Sequence, residues 1–318
     1  MNRTTLRRYA APASMALALT FVLAACGGQQ GSAGEGMSGA VKIDGSSTVE
    51  PLSSAASELY SEEQSEVQVT VGSSGTSGGF EAFCAGRTDI SDASRPIEAE
   101  EEQVCKKAGI EYTELQVAND ALTVVANKNV PVDCITTAQL KKIWSPSAEG
   151  KVTNWKQVDP SFPDMPLELF GPGTDSGTFD YFTEEINGEE GVSRSDYEAS
   201  EDDNVLVEGV ANTPGGMGYF GYTYFEENTD KLKALEVDSG NGCVAPSAET
   251  AQSGDYTPLA RPLFIYVNTK SYADKPQVAS YVDFYIQNLQ KITEAAKYIQ
   301  LNDQQQTQTD DALSSLGS

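Results

Sequence analysis

Residues 171–179 read Gly-Pro-Gly-Thr-Asp-Ser-Gly-Thr-Phe. A strand pattern, Leu167 to Phe170, runs into this stretch, and a helix pattern, Phe179 to Ile186, runs out of it. A Gly/Ser/Thr loop at a helix start presents unpaired backbone N–H groups and hydroxyls together, which suits a tetrahedral oxyanion. Two more loops repeat the design. Ser46, Ser47 and Thr48 follow the strand pattern Val41-Lys42-Ile43, and Ser74 to Gly79 follows the alternation of Val67, Val69 and Val71. Three such loops aimed at one point predict an anion site built from backbone and hydroxyl groups.

The N-terminus predicts export. Arg3, Arg7 and Arg8 precede an uncharged, mostly apolar stretch, 10–25, too short to span a bilayer and laid out as a secretory signal. It ends in Leu23-Ala24-Ala25-Cys26, which resembles the bacterial lipobox, with Cys26 as the lipidated residue. Arg7-Arg8 lacks the rest of a twin-arginine context, which favours the general secretion route. Residues 26–40, rich in Gly and Ser, read as a flexible tether.

Composition removes several classes of function. The full chain carries a net charge of −26; without 1–25 it holds 18 Lys and Arg against 47 Asp and Glu, a net −29. That argues against nucleic-acid binding through a basic surface. There is no His, so Ser-His-Asp triads, Cys-His dyads and His-based zinc sites are absent. With Cys26 set aside, Cys84, Cys105, Cys134 and Cys243 remain. An even number in an exported chain predicts disulfides rather than a metal site, since no CxxC spacing exists. Of the three possible pairings, the expectation is Cys84–Cys105, which is local, and Cys134–Cys243, which joins one lobe to itself.

Length and alternation predict two α/β lobes, each a mostly parallel sheet flanked by helices. The expected boundaries are 1–25 signal, 26–40 tether, 41–118 plus 268–318 lobe 1, and 119–267 lobe 2. In the first lobe Pro51 opens a helix with Leu52, Ala55, Ala56, Leu59 and Tyr60 on one face. A short helix through Phe80 and Phe83 and a strand ending at Asp89 to Ser94 follow. In the second lobe Ala121 to Asn127 reads as a strand, Thr137 to Trp144 as a helix and Gly215 to Tyr222 as a strand. Pro262 to Asn268 is a strand that returns the chain to the first lobe. A long helix is expected over 276–300, and the polar residues 303–318 are expected to fray.

Each loop also has a plainer reading. Ser and Thr are common helix caps, so Thr48, Thr76 and Ser77 serve equally well as caps when taken singly. Asp175 is either a cap or an acceptor for a protonated oxyanion; a buried acceptor admits hydrogen phosphate and rejects fully ionised sulfate. Arg95, in Ser94-Arg95-Pro96, is either a surface residue or the site's cation, its forked donors facing two oxygens. Asp120, at the predicted crossover, is a second acceptor or a hinge residue.

Taken together, the loops resemble the periplasmic phosphate-binding proteins that serve ABC transporters. The segments that carry the resemblance are Asp44-Gly45-Ser46-Ser47-Thr48, Gly75-Thr76-Ser77-Gly78-Gly79-Phe80, Asp89 to Pro96, Asn154-Trp155 and Gly171 to Phe179, in order across most of residues 41–300. The resemblance implies two lobes joined by crossovers, with phosphate in the inter-lobe cleft and hinge closure around it. It implies contacts from Thr48 and the Val49 N–H, from Thr76, and from Ser176, Gly177 and Thr178; Ser47 and Ser77, in the same loops, are further candidate ligands. This chain departs from the pattern twice. Ser94 stands where family members carry the Asp that receives the phosphate proton, and Pro172 stands where they carry an Arg. Arg95 is the expected replacement cation and Asp175 the expected replacement acceptor.

The implied function is a lipid-anchored, extracytoplasmic receptor that captures inorganic phosphate and delivers it to ABC permease subunits. It would bind without turnover, as a monomer, with no cofactor or metal. The alternatives are a receptor for sulfate, molybdate or tungstate, a phosphate-ester hydrolase on the same lobes, or an adhesin or signalling lipoprotein that retains the fold without the ligand.

Overall fold

The computed structural model describes residues 37–317; the signal segment, Cys26 and most of the tether lie outside them. Twelve strands are present among the described residues: β1 Gly39–Gly45, β2 Val67–Val71, β3 Ile90–Ala93, β4 Tyr112–Asn127, β5 Cys134–Thr136, β6 Glu168–Gly171, β7 Glu198–Ala199, β8 Gly216–Gly221, β9 Leu232–Ala234, β10 Glu236–Asp238, β11 Cys243–Val244 and β12 Ala260–Asn268. One curled sheet runs β2-β1-β3-β12-β4-β8-β6-β7, with β9 beside β4; β11-β10-β5 form a small second sheet. Pairing is parallel within β2-β1-β3 and within β7-β6-β8. The strands that join these two groups, β12 and β4, run antiparallel to each other and to their outer neighbours.

Four apolar clusters pack on the sheet among the described residues, and the two largest flank the crossing. The first gathers Val41, Ile43, Leu52, Ala56, Tyr60 and Ile90 with Tyr281 and Tyr285. The second gathers Leu140, Trp144, Trp155, Leu169, Phe182, Met217 and Tyr219. β4 feeds both: Leu115, Val117 and Ala118 enter the first, and Ala121, Leu122 and Val124 enter the second. On the return path Leu259 belongs to the second cluster and Leu263, Ile265 and Val267 to the first. The chain therefore changes cluster at Asn119–Asp120 and again at Ala260–Pro262, where Arg261 stands opposite Asp120 in the antiparallel register.

Local chemistry explains the elements nearest this crossing. The helix Glu50–Glu63 has Pro51 in its first turn and buries Leu52, Ala56 and Tyr60 at four-residue spacing. Cys84 is bonded to Cys105 and Cys134 to Cys243, the expected pairing.

Two expectations fail at the C-terminus. The helix expected over 276–300 is two, Pro276–Gln287 and Leu289–Ala295, broken at Asn288, whose side chain donates to the Phe284 carbonyl at 2.9 Å. The segment expected to fray is the helix Asp303–Leu316. Asn302 and Gln305 close a capping box at its start, and Thr309 is buried and donates to the Gln116 carbonyl at 2.9 Å. Ala312, Leu313 and Leu316 pack on the first cluster, a small apolar face hidden in a polar sequence. The helix expected over Phe179–Ile186 begins earlier, as Gly177–Phe182, and continues as one wide π-turn, Thr183–Asn187.

Candidate functional site

At the crossing the end of β1 meets the sheet's helices. Gly45 has φ 148°, and a Cβ there would lie 2.1 Å from the Asp92 carbonyl oxygen, so only glycine fits. The Ser46 N–H donates to that carbonyl at 2.9 Å, and the Ser46 hydroxyl accepts from the Thr48 N–H at 3.2 Å. Ser46 thus holds the Thr48 N–H and leaves the Thr48 hydroxyl to partners from elsewhere in the fold. The Val49 N–H donates to the Ser46 carbonyl at 3.1 Å, and Val49 is fully buried.

The second loop is held from the same strand. Asp44 accepts from the Gly45 N–H at 2.9 Å and the Ser74 N–H at 3.1 Å. This sets the start of the helix Thr76–Cys84 beside β3. There the Thr76 and Ser94 hydroxyls meet at 3.1 Å.

A cleft of about 640 Å³ opens between these loops. Ser46, Ser47, Thr48, Thr76, Ser77, Ser94 and Arg95 line one side, and Gly177, Asp180, Tyr181 and Arg261 the other. A second cavity of about 430 Å³ lies behind it, lined by Asp175, Ser176 and Thr178. Ser47 and Gly177 line both, and a Cβ on Gly177 would stand 2.9 Å from the Thr48 hydroxyl oxygen. Of the third loop, then, only Gly177 reaches the main cleft. Ser176 is a cap, its hydroxyl accepting from the Thr178 N–H at 3.2 Å, and Asp175 is exposed.

The two arginines differ sharply. Arg95 lies on the cleft, but its two terminal nitrogens each donate to Glu101 at 2.8 Å, one of them also to the Ser77 hydroxyl at 3.0 Å. That bidentate pair neutralises it, and the guanidinium holds the Glu101 carboxyl low against the opposing effect of burial. Arg261 heads β12 at the crossing and is only 12 % exposed. It stacks 3.4 Å from the centre of the Tyr181 ring and donates to the Thr48 hydroxyl at 2.6 Å. Its contact with Asp120 is long, 3.4 Å. Burial raises the Asp120 carboxyl, and Arg261 opposes that rise.

The carboxylates on the cleft are Asp180, Glu184, Glu185 and Glu190. Burial raises Asp180, with Glu190 adding to the rise and the Ser47 hydroxyl opposing it. Sequence reasoning missed both Arg261 and Asp180. The signal for Arg261 was present: Arg261-Pro262 repeats the Arg95-Pro96 pair at the start of the returning strand. Asp180 carried no such signal beyond following the third loop.

The arrangement is a set of hydroxyls and one embedded guanidinium at a strand crossing. Residues 30–288 match the model of a PBP superfamily domain. The chain belongs to this superfamily. It is 53 % identical over 262 residues to Protein SphX of Synechococcus elongatus, covering 82 % of this chain and 77 % of that one. It is 38 % identical over 287 residues to the phosphate-binding protein PstS of Staphylococcus epidermidis, covering 89 % and 86 %. Among solved structures, one described as a possible phosphate binding protein from Planctomyces limnophilus superposes with a TM-score of 0.83 at 44 % identity, covering 89 % of this chain and all of that one. Among the described residues no helix is long and apolar enough to cross a membrane.

Proposed function

We propose that this chain captures inorganic phosphate in the cleft at the strand crossing and delivers it to the membrane subunits of an ABC transporter. The observation that carries the reading is Arg261. It is a nearly buried cation that donates to the Thr48 hydroxyl and stands across the cleft from Thr76 and Ser94. A guanidinium held there by Tyr181 offers its charge to an anion in the cleft. The names of the PstS and SphX relatives support phosphate as that anion.

In this reading Arg261 supplies the cation and Arg95 shapes the wall through Glu101. Ser47, Thr48, Thr76 and Ser94 supply hydroxyls. Asp180 receives the ligand's proton, the role expected of Asp175, because it faces the main cleft and Asp175 does not. Residues 41–118 plus 268–318 and residues 119–267 act as two lobes, with β12 shared between them. Opening at the contact of Ser47 and Thr48 with Gly177 joins the two cavities, and so brings Ser176 and Thr178 within reach of an entering anion; the Val49 N–H, expected as a ligand, stays bonded to the Ser46 carbonyl. Binding is noncovalent, with no turnover. The protein works outside the cytoplasm as a monomer, held at the membrane through Cys26 and the tether.

Thermal unfolding with excess phosphate tests the reading. A ligand at about a hundredfold its dissociation constant stabilises by about 2.7 kcal/mol, so the melting temperature rises with phosphate. Asp180→Asn, which loses the carboxylate charge and gains an N–H donor for a fully ionised oxyanion, would narrow the preference for phosphate over sulfate. No rise with any oxyanion, or steady release of phosphate from a chromogenic ester, would overturn the proposal.

A further inference from the structure

Residues 296–302 link the helix Leu289–Ala295 to the helix Asp303–Leu316 and cross the back of the site. Lys297 sits at φ 63°, a left-handed conformation that is costly for any residue with a Cβ. It is held there from the second cluster's side. The Thr223 hydroxyl donates to the Lys297 carbonyl at 2.8 Å, and the Lys297 ammonium meets Glu227. Ile299 exchanges two backbone hydrogen bonds with Asn119, at 2.8 and 3.0 Å, and its side chain joins the second cluster. The Gln300 carbonyl accepts from Gln252 at 2.8 Å.

Between these anchors Tyr298 turns the other way. Its hydroxyl donates to the Thr48 carbonyl at 2.7 Å. Burial raises the phenol, so it remains a donor at physiological pH. The Thr48 residue is therefore fixed at three points: its N–H by the Ser46 hydroxyl, its own hydroxyl by Arg261 and its carbonyl by Tyr298. Two of the three restraints come from segments bonded to the far side of the crossing.

We propose that Tyr298 is a positioning residue for ligand capture, tying the oxyanion loop through the Thr48 carbonyl to the strap Lys297–Gln300, so that loop and strap move as one. The proposal rests on the reading of the cleft as a phosphate site. Because Lys297, Ile299 and Gln300 are bonded to Thr223, Asn119 and Gln252, separation of the two sides pulls on the Thr48–Val49 peptide. Closure returns that peptide to one orientation.

The test is calorimetric titration of phosphate into the purified protein and two variants. Tyr298→Phe removes the hydroxyl bond to the loop. Tyr60→Phe removes a tyrosine hydroxyl bond of similar length, 2.9 Å to Ser280, away from the loop. Both variants are expected to melt at lower temperature than the parent. Only Tyr298→Phe is expected to weaken phosphate binding, by about tenfold, the effect of one lost hydrogen bond to a carbonyl. Unchanged phosphate affinity in Tyr298→Phe, or an equal loss in Tyr60→Phe, would overturn the proposal. If Tyr298→Phe does not fold, Thr223→Val carries the test by freeing the strap, with a several-fold loss expected and an unchanged affinity overturning it. Failure of the unsubstituted protein to bind phosphate would instead bring down the reading of the cleft, and the positioning role with it.

Discussion

Gly177→Ala adds one methyl at the closest approach of two loops. That methyl would lie 2.9 Å from the Thr48 hydroxyl oxygen and 3.0 Å from both the Ser47 hydroxyl oxygen and the Thr48 nitrogen. Ordinary contact begins at 3.4 Å, so the loops must part by about 0.5 Å, the difference between 3.4 and 2.9 Å. All three atoms sit on a segment already fixed by Asp92, Arg261 and Tyr298, so little of the strain relaxes. Overpacking of this kind costs about 1–3 kcal/mol. If phosphate is gripped where the loops meet, that cost appears as an affinity loss of about 5- to 150-fold. The same substitution removes a glycine from the first turn of a helix, which favours folding by up to about 1 kcal/mol. The strain is present in the ligand-free fold as well, offset in part by that gain, so the expected signature is weaker phosphate binding by calorimetry with a ligand-free melting temperature lowered by less than the overpacking cost alone would give. Equal phosphate affinity in parent and variant would refute the reasoning, because it would mean the loops need not meet when the ligand is bound.

Arg261→Gln should weaken phosphate binding by about 10- to 100-fold, the range for a hydrogen bond to a charged group, while Arg95→Ala stays within about twofold of the parent; equilibrium dialysis with labelled phosphate distinguishes them. Asp92 is fully buried; it accepts from the Ser53 hydroxyl at 2.9 Å, and burial raises its carboxyl to about 8. A carboxyl raised in the fold adds stability that is fully present below its unfolded value, about 3.9, and is lost as pH climbs towards the folded value. Asp92→Asn cannot ionise, so its stability relative to the parent should rise from about pH 4 to pH 8, by at most about 1.4 kcal/mol per unit, and level off above; a flat difference in urea melts over that window would count against it. Replacing Cys134 and Cys243 with Ser opens a separation of 109 residues, against 21 for Cys84 and Cys105, so urea unfolding should show the larger loss for the first pair, about 4–5 against about 3 kcal/mol.

The fold's first half was readable because its signals were local. Pro51 and the four-residue spacing of Leu52, Ala56 and Tyr60 mark a helix without reference to anything distant, and the Ser-rich loops mark its start and that of its neighbour. The C-terminus was opaque for the opposite reason. Thr309 and the pair Ala312–Leu313 matter only because β4 lies beneath them, and β4 extends back to Tyr112, well before the expected start at Ala121. The site divided along the same line. Loops were legible because glycine and serine report local backbone needs. The cation was not, because whether an arginine is free is decided by its partners. Arg95 has Glu101 six residues away, and Arg261 reaches Thr48 and Asp120 from across the sheet.

The central claim is that the cleft beside Arg261 takes phosphate and rejects a fully ionised oxyanion. It is tested most directly by calorimetric titration of the ligand-stripped protein with phosphate and then sulfate near pH 7. The account predicts one phosphate bound per chain, weakened by about 10- to 100-fold in Arg261→Gln, and no heat from sulfate. Equal binding of sulfate would contradict the role given to Asp180, and binding of neither would contradict the claim itself.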